Sequence, residues 1–154
     1  MKVFIGVGHG GSDPGAVANN AKEKDLNLSI ALACRDVLAR HGIEVKMSRT
    51  KDENDPLSEE IKECNAFGPD LAVDIHNNAG GGDGAEAYYH HGGGKSKTLA
   101  ENILVFCFCG VTLKPAFWPL PQVRRGRPTR FPCTLYSDRN QCRGWSFCPL
   151  QTEC

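Results

Sequence analysis

Two histidines and a nearby carboxylate could together bind a metal ion. His9 and His76 each directly follow an apolar segment that is typical of a buried strand. Glu23 and Asp25 lie where a helical pattern begins. Glu23 stands just under one turn before Leu26, so its side chain can point toward the strand ends. Two imidazoles and one carboxylate form a three-ligand zinc set with room for water. Zinc lowers the pKa of bound water toward about 7 and polarises a carbonyl oxygen, as amide hydrolysis requires.

A nucleotide site is the competing interpretation of the first glycine-rich turn. Residues 6–11 satisfy the pattern G-x-G-x-x-G, and Arg49 could contact the 2′-phosphate of NADP. That pattern needs a helix whose N-terminal amides meet the pyrophosphate directly after the turn. Here residues 13–15 read Asp-Pro-Gly, and helical periodicity begins only near residue 22. The sequence therefore favours the metal site over an NADP-binding α/β protein.

Strands and helices alternate along the first two thirds of the chain. This order predicts an α/β fold with a mainly parallel central sheet and helices on both faces. With the first strand between the second and the third, His9 and His76 emerge at one switch point of the sheet, the usual ligand site of such folds. Predicted strands cover residues 2–7, 43–48, 70–75 and 85–89, and predicted helices cover residues 23–41, 56–67 and 96–104.

The buried faces of the first two helices follow from their apolar spacing. Asp55 is the predicted N-cap of the second helix and Pro56 its first residue. Both helical cysteines are expected to be small buried apolar residues rather than disulfide partners. The predicted inner stripes are Leu26, Ile30, Ala33, Cys34, Val37 and Leu38 in the first helix and Leu57, Ile61 and Cys64 in the second.

Four segments of the chain resemble the zinc-dependent N-acetylmuramoyl-L-alanine amidases of the amidase type 3 family. They are residues 8–16 (GHGGSDPGA), 23–28 (EKDLNL), 48–50 (SRT) and 70–79 (DLAVDIHNNA). They occur in family order and at family spacing across about residues 2–104. The resemblance implies His9, Glu23 and His76 as Zn²⁺ ligands and Asn78 as a substrate-binding residue beside the metal. It also implies cleavage of the amide between the lactyl group of N-acetylmuramic acid and L-alanine in peptidoglycan.

Two positions depart from the family pattern. Asp74 stands where many relatives have serine, which leaves the zinc set intact. The family's last strand carries a Leu-Val-Glu-type segment whose glutamate acts as general base and acid, and residues 105–154 contain no such segment. Their acidic residues are Asp138 and Glu153, so no catalytic residue is assigned. Because acid–base assistance contributes about 10²–10⁴-fold, zinc binding could persist while turnover is impaired.

The last 50 residues differ in amino-acid composition from the rest of the chain. Residues 1–104 hold 11 basic and 16 acidic side chains, whereas residues 105–154 hold 7 basic and 2 acidic side chains, six of the eight cysteines and both tryptophans. We expect a zinc amidase-like domain in residues 1–104 whose C-terminal part is missing or replaced, followed by a frameshifted tail. The alternatives for the tail are a cysteine-based zinc or disulfide module, and a disulfide-stapled appendage that binds the cell wall.

The net charge and the lack of targeting signals in the sequence bear on the partners of the protein and on where it acts. The overall charge sums to zero, which does not favour a nucleic-acid partner. No signal peptide or membrane span is predicted, so we expect synthesis in the cytoplasm and action at the cell wall, as for an endolysin, by a monomer. A non-catalytic zinc protein that binds peptidoglycan is the main alternative to the enzyme.

Overall fold

The computed structural model describes residues 1–78, 85–105, 111–116 and 132–138, with side chains for 1–77 and 85–104. Helices and strands alternate as expected. The helices are α1 (Glu23–Arg40), α2 (Leu57–Phe67) and α3 (Lys95–Val105). The strands are β1 (Lys2–Val7), β2 (Val17–Ala18), β3 (Ala21–Lys22), β4 (Glu44–Met47), β5 (Leu71–Asn78), β6 (Ala85–His90), β7 (Val111–Ala116) and β8 (Pro132–Asp138).

Six strands form one mainly parallel sheet in the order β4-β1-β5-β8-β6-β7, and β2 and β3 form a small hairpin. Strand β1 lies between β4 and β5, as predicted, and is parallel to both. Strand β8 is parallel to β5, and β6 is parallel to β7. The β6–β8 pair is antiparallel.

Helices cover both faces of the sheet. Val3, Ile5 and Val7 of β1 are buried in one cluster with Ala31 of α1. The opposite face of β1 meets α2, because a side chain at Gly6 would collide with Glu60. Since successive side chains of a strand point to opposite faces, α1 and α2 lie on different sides of the sheet. The predicted α/β fold is confirmed.

The predicted buried stripe of α1 is wrong at Ile30, Ala33 and Cys34, which are exposed, whereas Leu38 packs against the core. Ile30 is 42% exposed and Cys34 is also exposed, whereas the buried side chains of α1 are Glu23, Lys24, Asn27 and Ala31. Polar side chains of the first two turns are held by hydrogen bonds, so the buried face is rotated away from the most apolar one. Both helical cysteines are free thiols.

Helix α2 also differs in detail from its prediction. Pro56 is the N-cap and no side chain caps the helix, because Asp55 hydrogen-bonds Ser48 instead. Leu57 is 46% exposed, while Ile61 and Cys64 are half-buried. The αL residue Gly68 ends the helix, as glycine commonly does.

The sheet continues past residue 104, where the sequence pattern predicts no strand. Strand β8 lies between β5 and β6, and β7 forms the edge. Pro115 lies in this edge strand, where a missing N–H can face away from the ladder. The tail's other cysteine-containing segments, and Glu153, lie outside the described residues. Within the described part of the chain, every helix is too short or too polar to cross a membrane.

Candidate metal centre

Glu23 is the central carboxylate of the site. It is the first residue of α1 and is only 5% exposed. The backbone N–H of Ala16 donates to Oε2 at 2.9 Å, and that of Asn77 donates to Oε1 at 3.0 Å. Burial alone would raise the pKa of Glu23, but hydrogen bonds from His76 and from these two amides outweigh it and lower the pKa to about 2. The carboxylate therefore stays charged at physiological pH.

His9 approaches Glu23 from the turn after β1. Its Nε2 lies 3.2 Å from Glu23 Oε2, and its Nδ1 lies 2.8 Å from Asp13 Oδ2. The residue has a positive φ of 64°, a conformation that histidine tolerates better than most residues. The ring of His9 packs edge-on against that of His76, with centroids 5.2 Å apart.

His76 approaches Glu23 from the end of β5. Its Nδ1 lies 3.1 Å from Glu23 Oε1, and its Nε2 lies 3.2 Å from Asp74 Oδ2. Burial would lower the pKa of this imidazole, but the two carboxylates outweigh burial and raise the pKa to about 10. The ring of His76 thus lies between the carboxylates of Glu23 and Asp74.

Two glycines allow these side chains to come together. A Cβ at Gly8 would overlap the ring of His76. A Cβ at Gly15 would lie 2.6 Å from His9 Cδ2 and 2.7 Å from Glu23 Oε2, and Gly15 also has a φ of +61°. The glycine-rich turn is therefore required by close approach to the His–Glu–His cluster, not by a bound phosphate.

Buried polar side chains fix the turn and the strand ends. Asn27 is fully buried, donates to the carbonyl of Gly8 at 2.9 Å and accepts from Asn77 Nδ2 at 2.6 Å. Arg49 is 2% exposed and donates to the carbonyl oxygens of Val7, Gly8, Lys24 and Lys51. Its guanidinium thus makes four hydrogen bonds, all to backbone carbonyls. Arg49 is thus unsuited to the 2′-phosphate role considered for it.

A second carboxylate pair lies on the α2 side of His76. A Cβ at Gly6 would contact both Glu60 Oε1 and Asp74 Oδ1, so the two side chains converge over this glycine. Burial, together with the charges of Asp74 and Asp55, raises the pKa of Glu60 to about 8. Asp74 Oδ1 is buried without a hydrogen-bond partner among the described residues.

The structure brings the three predicted ligands together. Each of His9, Glu23 and His76 offers a ligand atom, and these atoms lie within 4.8 Å of one another. Asp25, the other carboxylate considered, is exposed. Asn78 ends β5 opposite Asp138 of β8, and its side chain lies outside the described part of the chain.

Sequence reasoning missed the residues that support the ligands. Asp13 and Asp74 contact the outer ring nitrogens of His9 and His76, and Asn27 links the ends of β1 and β5. The short spacing of Asp13 from His9 and of Asp74 from His76 was a usable signal. Nothing in the sequence pattern indicated the role of Asn27, because it interrupts an apolar helix.

A dinucleotide site requires a helix that begins directly after the first glycine-rich turn, and no helix begins there. Strand β1 ends at Val7 and α1 begins at Glu23, with the β2–β3 hairpin between them. No helical N-terminus therefore follows the Gly8 turn directly, so the turn lacks the helix that the dinucleotide fingerprint requires.

Comparisons with known proteins agree with this geometry. The sporulation-specific N-acetylmuramoyl-L-alanine amidase of Bacillus subtilis is 44% identical over 82 residues, which cover 52% of this chain and 32% of that protein. An endolysin of Bacillus phage SPP1 is 41% identical over 78 residues, covering 50% and 29%. The chain thus spans about a third of the length of the curated relatives it matches.

A solved structure extends the likeness beyond the amino-terminal part. The catalytic domain of CwlV, an N-acetylmuramoyl-L-alanine amidase from Bacillus (Paenibacillus) polymyxa, aligns with a TM-score of 0.74 at 26% identity. The alignment covers 88% of this chain and 80% of that one. Residues 1–104 are 104 of 154, about 68%, so the aligned part reaches into the last 50 residues. A family model described as N-acetylmuramoyl-L-alanine amidase matches residues 3–105, and the chain belongs to this family.

Proposed function

We propose that this chain hydrolyses the amide between the lactyl group of N-acetylmuramic acid and L-alanine in peptidoglycan, using Zn²⁺ held by His9, Glu23 and His76. The convergence of these three side chains at the carboxyl ends of β1 and β5 carries the proposal. The family membership supports the same reaction. The related phage endolysin supports action at the cell wall.

The donor set fits zinc. His9 Nε2 and His76 Nδ1 lie 3.2 Å and 3.1 Å from the two oxygens of Glu23. One ligand atom from each of the three residues lies within 4.8 Å of the others, which is close enough for a single ion to be bound between them after small shifts. Two imidazoles and a carboxylate also match the ligand types that zinc prefers in catalytic sites. The negative charge that Glu23 keeps at physiological pH adds attraction for a divalent cation.

The residues of the site have separate parts in the proposed reaction. When bound, zinc supplies a Lewis acid that polarises the scissile carbonyl and lowers the pKa of water toward about 7. His9, Glu23 and His76 hold that ion, while Gly8 and Gly15 leave room for their rings and carboxylate. Asn78, at the end of β5, is proposed to bind the muropeptide substrate.

A zinc-containing peptidoglycan-binding protein without turnover is the second candidate function. It is favoured by the carboxylates nearest the ligands in the described part of the chain. Glu23 contacts both histidines, Asp13 contacts His9 and Asp74 contacts His76, so each is already engaged. The family resemblance assigns the general base to the last strand of the fold, which falls in residues 105–154 here, where Asp138 ends β8 opposite Asn78. The proposed division into a domain of residues 1–104 and an out-of-frame tail predicts that such a base is missing.

Two measurements on the purified full chain decide between these functions. The first is zinc content after dialysis, and the second is release of new L-alanine N-termini from purified cell walls. Zinc together with release that is lost in Glu23→Ala supports the amidase. Zinc without release supports the binding protein, and wild-type protein that holds no zinc refutes both. Sequencing the gene tests the tail: an alternative open frame that encodes a Leu-Val-Glu-like strand is expected.

A further inference from the structure

The two ring nitrogens of His76 contact carboxylates on opposite sides. Nδ1 lies 3.1 Å from Glu23 Oε1, and Nε2 lies 3.2 Å from Asp74 Oδ2. His9 has the same arrangement, with Nε2 toward Glu23 and Nδ1 toward Asp13. In each histidine, one nitrogen therefore faces the shared ligand Glu23 and the other faces a carboxylate outside the cluster.

The surroundings of Asp74 give no sign that this carboxylate stabilises the folded protein. Asp74 Oδ1 is buried and lacks a hydrogen-bond partner among the described residues, and Glu60 converges on it over Gly6. A buried carboxylate oxygen without a hydrogen-bond partner costs free energy. Among the described residues, the side chain of Asp74 hydrogen-bonds His76. We therefore look for the role of Asp74 in its hydrogen bond to His76.

We propose that Asp74 is a positioning residue for the metal site: it accepts a hydrogen bond from the Nε2–H of His76 and so keeps Nδ1 unprotonated and directed toward Glu23. A second carboxylate of this kind fixes the tautomer and orientation of a ligand histidine and makes it more basic. This inference rests on the proposed zinc site. It adds to that site a residue that takes no part in binding the ion itself.

Zinc affinity tests the inference without any measurement of hydrolysis. Zinc dissociation constants are measured by competition with a chromophoric chelator for wild type, Asp74→Ala, Asp74→Asn and Asp36→Ala. We expect Asp74→Ala to bind zinc 10–100-fold more weakly, the range seen when such supporting partners are removed. Asp74→Asn keeps a neutral acceptor and is expected to lose less. Asp36→Ala, on the exposed part of α1, is the matched control and is expected to bind as wild type does.

The tautomer of His76 gives a second readout that needs no variant. In ¹⁵N NMR spectra of zinc-loaded wild type, we expect Nε2 of His76 to carry the proton and Nδ1 to show the shift of a metal-bound nitrogen. The opposite tautomer overturns the inference even if Asp74→Ala fails to fold. A folded Asp74→Ala protein with a zinc dissociation constant within twofold of wild type also overturns it. Absence of zinc binding by wild type instead overturns the proposed function on which the inference rests.

Discussion

Removing the carboxylate of Glu60 is expected to stabilise the protein progressively as the pH rises. Glu60 lies half-buried on α2 and converges with Asp74 over Gly6. Burial and the neighbouring charges of Asp74, Asp55 and Glu63 raise its pKa, and His76 opposes them. The result is a pKa of about 8, against 4.5 for an ordinary glutamate.

The sign and size of the effect follow from proton linkage. Between pH 4.5 and about 8 the folded protein keeps a proton on Glu60 that the unfolded chain has lost, so wild-type stability falls as the pH rises. The difference of 8 − 4.5, at about 1.4 kcal/mol for each pH unit, sets an upper limit of about 5 kcal/mol on the loss. Glu60→Gln has no proton to lose and should not show this part of the decline.

Urea unfolding at pH 4, 5, 6, 7, 8 and 9, in the presence of a chelator, measures the effect. The free energy of unfolding of Glu60→Gln minus that of wild type should increase from pH 5 to pH 8 and level off above it. Glu59→Gln, an exposed neighbour on α2 that pairs with Lys62, is the matched control and should differ from wild type by a constant of about 0.5 kcal/mol or less. A Glu60→Gln difference that stays constant from pH 5 to 9 would refute the reasoning.

Three further changes test the site. Gly15→Ala should weaken zinc binding measured by chelator competition and lower thermal stability, because its Cβ meets His9 and Glu23; Gly42→Ala, which has a similar φ but open space, should leave zinc binding unchanged. Asn27→Ala should cost about 1–3 kcal/mol in urea unfolding because it removes two buried hydrogen bonds, whereas Asn65→Ala on the exposed face of α2 should cost little. Zinc at 100 times its dissociation constant should stabilise wild type by about 2.7 kcal/mol in calorimetry and leave Glu23→Ala unchanged; equal shifts in both proteins would contradict the ligand assignment.

The order of the first three strands of the sheet, β4-β1-β5, and the candidate ligand set could be predicted because both follow from short-range signals. Apolar strands, glycine turns and the position of the first helix place His9 and His76 at one edge of the sheet. A parallel sheet brings the carboxyl ends of neighbouring strands together, so residues 67 positions apart could be expected to meet. Glu23 could be predicted as the third ligand because it begins the helix next to that edge.

The buried face of α1 could not be predicted because hydrogen bonding, not hydrophobicity, decides it. Asn27 and Lys24 point inward since the carbonyls of Gly8 and Gly11 accept hydrogen bonds from them. The buried face is therefore centred on Lys24, Asn27 and Ala31, and Ile30 at its margin is 42% exposed despite its apolar character. The spacing of apolar residues along a helix contains no information about hydrogen-bond acceptors in a loop elsewhere in the chain.

The place of β8 in the sheet has a consequence for synthesis on the ribosome. Strand β5 ends at Asn78, but its neighbour β8 ends at Asp138, which is 138 − 78 = 60 residues later. At about 5–20 residues per second, β5 waits about 3–12 s for this partner. During that time β5 lacks β8 on one side and β6 lacks it as well, so both present unpaired backbone groups to other chains. The last strand to join the sheet therefore enters at its middle rather than at its edge, and nascent chains halted before residue 132 are expected to leave β5 and β6 open to pairing with other chains.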